Sequence, residues 1–179
     1  IVPQAKVLGG GSTVNAMVYM RGQAADYDRW NEAVTAPGAP SNGSWSYRDM
    51  LPYFKRQEDN DHLGGEYHGV GGPLKISHLG HTSPMTRAYL KTMQGLGLPY
   101  NPDFNGERQF GVGFMQHTID WTTRRRSSAV DAFLKPVLND PLLTVETEAT
   151  VTGLRWDGGR VTGVDYVANG SVKAAKAGC

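Results

Sequence analysis

The residues with most chemical promise stand together in "KVLGGGSTVNAMVYMRGQAADYDRW", Lys6 to Trp30. Three glycines, a Ser-Thr pair and an asparagine run directly into an apolar segment. Three readings compete. A flexible linker would continue in polar residues, whereas "TVNAMVYM" is apolar and patterned like ordered chain. A dinucleotide fingerprint, G-x-G-x-x-G, fails because Val14 stands where the third glycine belongs. The third reading is a tight turn leading into a helix N-terminus. There glycine lets the main chain approach a ligand, and unpaired amides face an anionic group. Ser12, Thr13 and Asn15 add side-chain hydrogen-bonding groups. A plain helix-capping loop is the commoner use of such a segment, so residue types alone leave both uses open.

Metal and thiol chemistry have less to work with. The five histidines, His62, His68, His78, His81 and His117, lack the spacing of a helical metal motif, and no metal site is expected. The single cysteine, Cys179, excludes an internal disulfide framework and a cysteine zinc cluster. With 18 basic against 17 acidic residues there is no electrostatic reason to expect nucleic acid or an anionic membrane as partner. No apolar run approaches the ~20 residues of a membrane span, and no signal-peptide pattern appears. At 179 residues the chain is long enough for one or two domains. Both ends read as cut: a glycine loop follows the first residues at once, and "SVKAAKAGC" reads as the approach to a strand. The expectation is an internal piece of a longer protein.

The elements that position these residues alternate irregularly between helix and strand. Asn15 to Glu32 reads as a short helix, and "APGAPSNGS", Ala36–Ser44, as a loop. Ser46 caps a helix from Tyr47 to Asp59, with Met50, Leu51 and Phe54 on one face. "HLGGEYHGVGGP" is a glycine loop, Leu74–Ser77 a strand, and Ser83–Gly95 a helix closed by "GLGLP". Gly111–Ile119 reads as a strand, and Ser128 with Asp131 as a capping box. From Leu142 the texture is β, broken by an Asp157-Gly158-Gly159 turn before "RVTGVDYVA". The fold class is therefore mixed α/β, without the strict alternation of a simple parallel sheet.

Against this background the first segment resembles the leading signature of the glucose–methanol–choline (GMC) oxidoreductases, FAD-dependent enzymes that oxidise alcohols. Ala5, Lys6, Leu8, Gly9-Gly10, Gly11-Ser12, Val14, Asn15, Tyr19, Gly22 and Asp28 fall where that pattern places them. "GSWSYRDMLPYFKRQED", "GPLKIS", "DFNGERQFGVGFMQHTI" and "RRRSSAVDAFLKPVL" are similar to the choline-dehydrogenase-like branch, so the resemblance covers essentially the whole chain. It implies part of an FAD-binding Rossmann-like domain with part of an interleaved substrate-binding domain built on an antiparallel sheet. Residues 1–72 and 121–179 would belong to the former and residues 73–120 to the latter.

Carried over residue by residue, the resemblance implicates Gly10, Asn15, Ala16, Met17 and Val18 along the flavin. It also implicates Val151, in "ATVTGL", at the adenine end through its main chain. Taken alone, Val151 reads as an ordinary strand residue. Some relatives attach FAD through a histidine before the signature asparagine; here that position is Val14, so FAD is expected to be non-covalent. The implied chemistry is hydride transfer from an alcohol carbon to flavin N5, with a base taking the hydroxyl proton. The family's base, a histidine, and its N-terminal GxGxxG match nothing in this chain. No catalytic residue is therefore expected here, and the piece alone is expected to be inactive.

The histidines of the chain are no substitutes. His62 and His68 lie in the glycine loop and read as solvated, and His78 and His81 flank a turn. His117 is the best candidate for lining a substrate cavity, against the commoner role of a hydrogen-bonded structural histidine. Arg124–Arg126 reads as a solvated, basic lead-in to a helix. The expected partners are a small-molecule alcohol and oxygen or a quinone as electron acceptor, and membrane association stays open. Alternatives are a hydroxynitrile lyase of the same family, which keeps FAD structurally, and a non-catalytic remnant.

Overall fold

The computed structural model describes residues 4–38 and 44–178. Residues 39–43 of the expected loop, and Cys179, lie outside the described residues. The chain divides into two compact units, Ile1–Val137 and Leu138–Cys179.

The first unit begins with a single helical turn, α1 (Gly11–Val14), and then departs from the expected helix. Asn15 is extended at the C-cap, and Met17 sits at φ 63, in left-handed space that no helix accommodates. The chain emerges as strand β1 (Val18–Tyr19) and becomes helical again only at α2 (Ala24–Thr35), where Gln23 N–H donates to Asp26 Oδ2 at 3.0 Å. Helix α3 (Tyr47–Gln57) is capped by Ser46, whose Oγ accepts from Asp49 N–H at 3.3 Å. It stops short of Asp59 because the chain turns extended as β2 (Glu58–Asn60). Strand β3 (Leu74–His78) and helix α4 (Pro84–Gly95) follow as expected, the helix capped by Ser83 with proline at its first turn.

The expected strand Gly111–Ile119 is broken. Val112 makes one bridge to Tyr100, and only β4 (Gln116–His117) and β5 (Ile119–Asp120) form strands. At Gly113 the chain passes close to the Asn101 backbone, where a Cβ would lie 1.9 Å from the carbonyl oxygen, so only glycine fits. The sheet runs β1-β4-β3-β2, antiparallel except for the parallel β2–β3 pair, and β5 pairs with β6 (Arg125–Arg126). Ser128 and Asp131 form the expected box: Ser128 N–H donates to Asp131 Oδ2 at 3.0 Å and Asp131 N–H to Ser128 Oγ at 3.3 Å. It opens a wide helical turn, Val130–Leu134, that tightens over Lys135–Val137.

The second unit is an antiparallel meander of β7 (Thr150–Asp157), β8 (Arg160–Ala168) and β9 (Ser171–Lys176). β structure starts eight residues later than the sequence texture suggests. Two-residue turns join the strands: Gly158-Gly159 at φ 53 and 83, and Asn169-Gly170 at φ 51 and 71. Paired left-handed residues give the turn a twist that matches the strands.

Burial in the first unit is unusual in kind. Ile76, Leu90, Val112 and Ala132 are its buried apolar residues. They are outnumbered by Arg21, Glu58, Asn60, His68, Ser77, Asn101, Asn105, Gln116, Ser127 and Ser128. No helix among the described residues is long and apolar enough to cross a membrane.

Candidate functional site

The glycine segment is a turn locked by its own polar groups. Gly9 has φ 84, and a Cβ there would lie 2.4 Å from Thr13 Oγ1, so only glycine fits. Ser12 Oγ donates to the Gly9 carbonyl at 2.6 Å and accepts from Ala129 N–H at 3.0 Å, while Thr13 Oγ1 donates to the Leu8 carbonyl at 2.7 Å. Arg126 donates to Asn15 Oδ1 at 2.6 Å and to the Ser12 carbonyl at 3.2 Å. The hydroxyls of Ser12 and Thr13 are thus spent inside the protein rather than offered to a ligand. Arg126 is likewise a tie across the turn rather than part of a solvated lead-in; Arg124 and Arg125 are exposed.

Gly10 is the residue before α1, at φ 55, and Asn15, Ala16, Met17 and Val18 follow that helical turn in succession. Asn15 Oδ1 accepts from Met17 N–H at 3.0 Å, and the Met17 carbonyl accepts from Thr118 N–H at 2.7 Å. These bonds hold Met17 in its left-handed conformation, whose cost is about 1–2 kcal/mol. Ala16 is exposed and its amide has no partner among the described residues. An open crevice of 840 Å³ is bordered by Gln4, Ala5, Gly11, Val14 and Asn15, with Val14 60% exposed; Asn15 is the point where the expected flavin residues reach it. Gly11 and the exposed Val14 give that crevice a glycine and an apolar border, and the unpaired Ala16 amide follows Asn15 directly in the chain. Val14 offers no atom for a covalent link. Val151 belongs to the second unit, exposed on β7 and paired with Tyr166.

Beneath β1 lies a constellation that sequence reasoning missed. Arg21 pairs with Glu58 Oε2 through Nη2 and donates to the Tyr67 carbonyl at 2.7 Å through Nη1. Glu58 Oε1 accepts from Asn60 at 2.7 Å and from His68 Nδ1 at 2.8 Å. His68 Nε2 reaches Asp103 Oδ2 at 2.9 Å. The expectation of a solvated His68 is therefore wrong, for it is 4% exposed between two carboxylates. Burial opposes its charge, but the bonds to Asp103 and Glu58 outweigh burial and raise its pKa to about 9. The same partners hold Glu58 and Asp103 below the usual carboxylate range despite their burial. The only sequence signal was a histidine among glycines, which normally marks a loop.

On the other side of β1, His117, His78, Phe114 and Met115 border a 490 Å³ cavity together with Val18. Burial depresses the pKa of both histidines. His117 thus borders a cavity while its buried Nδ1 lacks a hydrogen-bond partner among the described residues. Asp61, His62 and His78 also bring one donor atom each within 4.8 Å of one another, a grouping their sequence spacing conceals.

The family model described as GMC oxidoreductase matches residues 1–177. An oxygen-dependent choline dehydrogenase from Rhizobium etli is 40% identical over 98% of this chain and 30% of its own length. The human mitochondrial choline dehydrogenase is 38% identical over 98% of this chain and 28% of its own. Among solved structures, pyridoxine 4-oxidase from Mesorbium loti superposes with TM-score 0.85 at 32% identity, covering 97% of this chain and 33% of that one. An FAD-dependent oxidoreductase from Chaetomium thermophilum does so with TM-score 0.88 at 29% identity, covering 98% and 32%. The chain spans about a third of the length of these relatives. It is a member of the GMC oxidoreductase family.

Proposed function

We propose that this chain forms one wall of the flavin site of an FAD-dependent oxidoreductase acting on CH–OH donors. The observation that carries the reading is the strained segment Asn15–Val18, held at Met17 and unpaired at the Ala16 amide, with Asn15 bordering an open crevice beside Gly11 and Val14. Bound there, FAD would accept hydride from an alcohol carbon. Gly10 would give the main chain close approach, and the Ala16 amide would donate to the cofactor's polar rim. Val14 beside the crevice and Val18 beside the histidine-lined cavity would each shield an apolar part of it from water. Val151 contributes from β7 through its main chain at the adenine end. FAD is held non-covalently, since Val14 has no nucleophilic atom. Residues 1–72 and 121–179 serve the flavin, and residues 73–120 the substrate, in an interleaved arrangement. The names of the choline dehydrogenases support a compact alcohol as substrate and, for the oxygen-dependent ones, oxygen as acceptor.

The test is the colour of the full-length protein. It should purify yellow, release its flavin into the supernatant on acid precipitation, and bleach anaerobically when choline or another small alcohol is added. A colourless protein defeats the reading. Flavin that stays in the acid pellet defeats the non-covalent part.

A further inference from the structure

The buried charges beneath β1 form a closed ring with the strand itself. Starting at Arg21, the backbone N–H donates to Asn105 Oδ1 at 2.7 Å. Asn105 N–H donates to Asp103 Oδ1 at 2.9 Å, and Asp103 Oδ2 accepts from His68 Nε2 at 2.9 Å. His68 Nδ1 donates to Glu58 Oε1, and Glu58 Oε2 returns to the Arg21 guanidinium. Asn105 Nδ2 also donates to the Tyr19 carbonyl at 3.1 Å, so Tyr19–Arg21 is gripped along both backbone and side chain. A second tie reaches the other end of the strand. Asn60 and Gln116 exchange reciprocal amide bonds at 2.9 Å, and Gln116 and His117 pair with Tyr19 and Val18.

Two features mark His68 as the member on which the ring depends. Both of its nitrogens face carboxylate oxygens, so the ring closes only when both carry protons. Its imidazolium and the Arg21 guanidinium then balance Glu58 and Asp103, leaving the buried set neutral. Such a set contributes little net stability over apolar packing; what it secures is one geometry. The geometry secured is that of the strand leaving Ala16–Val18.

We propose that His68 is a positioning residue for the flavin-facing segment Ala16–Val18, acting through Arg21 and Asn105 on strand β1. The inference rests on the flavin reading above. Losing one proton from His68 breaks either the Glu58 or the Asp103 bond, frees Tyr19–Arg21, and lets the Ala16–Val18 edge shift against the cofactor. The groups facing His68 are Glu58 from β2 and Asp103 from the loop after Tyr100; Arg21 and Tyr19 act on it through Glu58. No other charged group closes the ring among the described residues.

The experiment is a pH titration of the visible circular dichroism of the flavin-loaded, full-length protein, paired with His68→Gln. The wild type should show a reversible transition with midpoint near the raised value of about 9, and the variant none. A glutamine carries both its N–H groups on one nitrogen, so it cannot reach Glu58 and Asp103 from two separate nitrogens as the imidazolium does, and it carries no charge. In the variant the dichroism at pH 7 should already resemble the high-pH form. Its bleaching by alcohol should slow by on the order of 10²-fold, as expected when a reacting group shifts by about an ångström. Should His68→Gln fail to fold, Asp103→Asn serves instead, because removing one carboxylate must move the wild-type midpoint downward. Two outcomes overturn the proposal: a flat flavin signal in the yellow wild type, or a variant that melts earlier while its flavin signal and bleaching rate stay unchanged. A colourless wild type overturns the flavin reading and this inference with it.

Discussion

The two units solve the problem of holding strands in opposite ways. In Leu138–Cys179, long strands are set in register by two-residue turns and rely on contacts near in sequence. In Ile1–Val137, strands of two to five residues are held by buried side chains from distant segments, as when Asn105 grips Tyr19 and Asn60 grips Gln116. Two-residue strands have too few ladder bonds to fix their own register, so the polar network does that work. Precision at the proposed flavin edge therefore depends on charges, while the meander depends on backbone conformation. The two units should consequently fail under different perturbations.

The largest effect is expected where the first unit concentrates its charge. Glu58 is fully buried and takes bonds from Arg21, His68 and Asn60. Glu58→Gln keeps the volume but leaves a guanidinium and an imidazolium without their shared counter-charge. The cost should be about 3–5 kcal/mol, read from urea unfolding of the full-length protein. A loss below about 1 kcal/mol would mean that water reaches the site and the ring is not closed. The same change at Glu146, which pairs with Lys173 on the exposed strand β9, should move the urea midpoint far less, because water screens that pair.

A somewhat smaller effect separates the units by pH. His68 has its pKa raised from 6.5 to about 9, so the folded state holds its proton where the unfolded state has lost it. The stabilisation is complete below pH 6.5 and is lost as pH rises through about 9, because above 6.5 the native form binds more protons. Its size is at most about 3 kcal/mol. Glu58 and Asp103, held low, keep their contribution over this range and lose it only in acid. Urea midpoints measured from pH 6 to 10 should therefore fall in the alkaline half. If the midpoint holds steady to pH 10, His68 is neutral in the native protein.

These contrasts also explain what could be read in the chain beforehand. The capped helices at Ser46 and Ser83, the Ser128–Asp131 box and the Gly158-Gly159 hairpin are local devices, written in residues three or fewer apart. The GMC segment was legible because its spaced glycines, Asn15 and Tyr19 form a pattern specific in itself. The helix assigned to Asn15–Glu32 failed because propensity cannot see Thr118 and Arg126 holding Met17 and Asn15 in a non-helical turn. His68 was missed for a related reason. Hydrophobic periodicity finds apolar cores, and this unit buries more polar than apolar residues. Glu58, His68 and Asp103 converge only through the parallel β2–β3 pairing and the loop after Tyr100. Asn169-Gly170, by contrast, was a plain hairpin signal in the sequence and could have extended the meander to β9.

The smallest effect belongs to the meander, and it has a sign that can be chosen. Gly158 and Gly159 both occupy left-handed space, at φ 53 and 83, in the turn joining β7 to β8. Gly159→Ala places a Cβ in that conformation at a cost of about 1–2 kcal/mol, with open space around the atom, so strain rather than a clash is responsible. Asparagine tolerates the left-handed region and is favoured at the first position of this turn. Gly158→Asn should thus be neutral or stabilising, since it also narrows the unfolded ensemble. Amide hydrogen exchange along β7 and β8 distinguishes the two. It should quicken by roughly tenfold for Gly159→Ala and slow or stay level for Gly158→Asn, with β3 amides as reference. Equal acceleration in both variants would mean that the hairpin is held by its side-chain faces and not by its turn. The contrast between a unit fixed by charge and a unit fixed by backbone would then lose its second half.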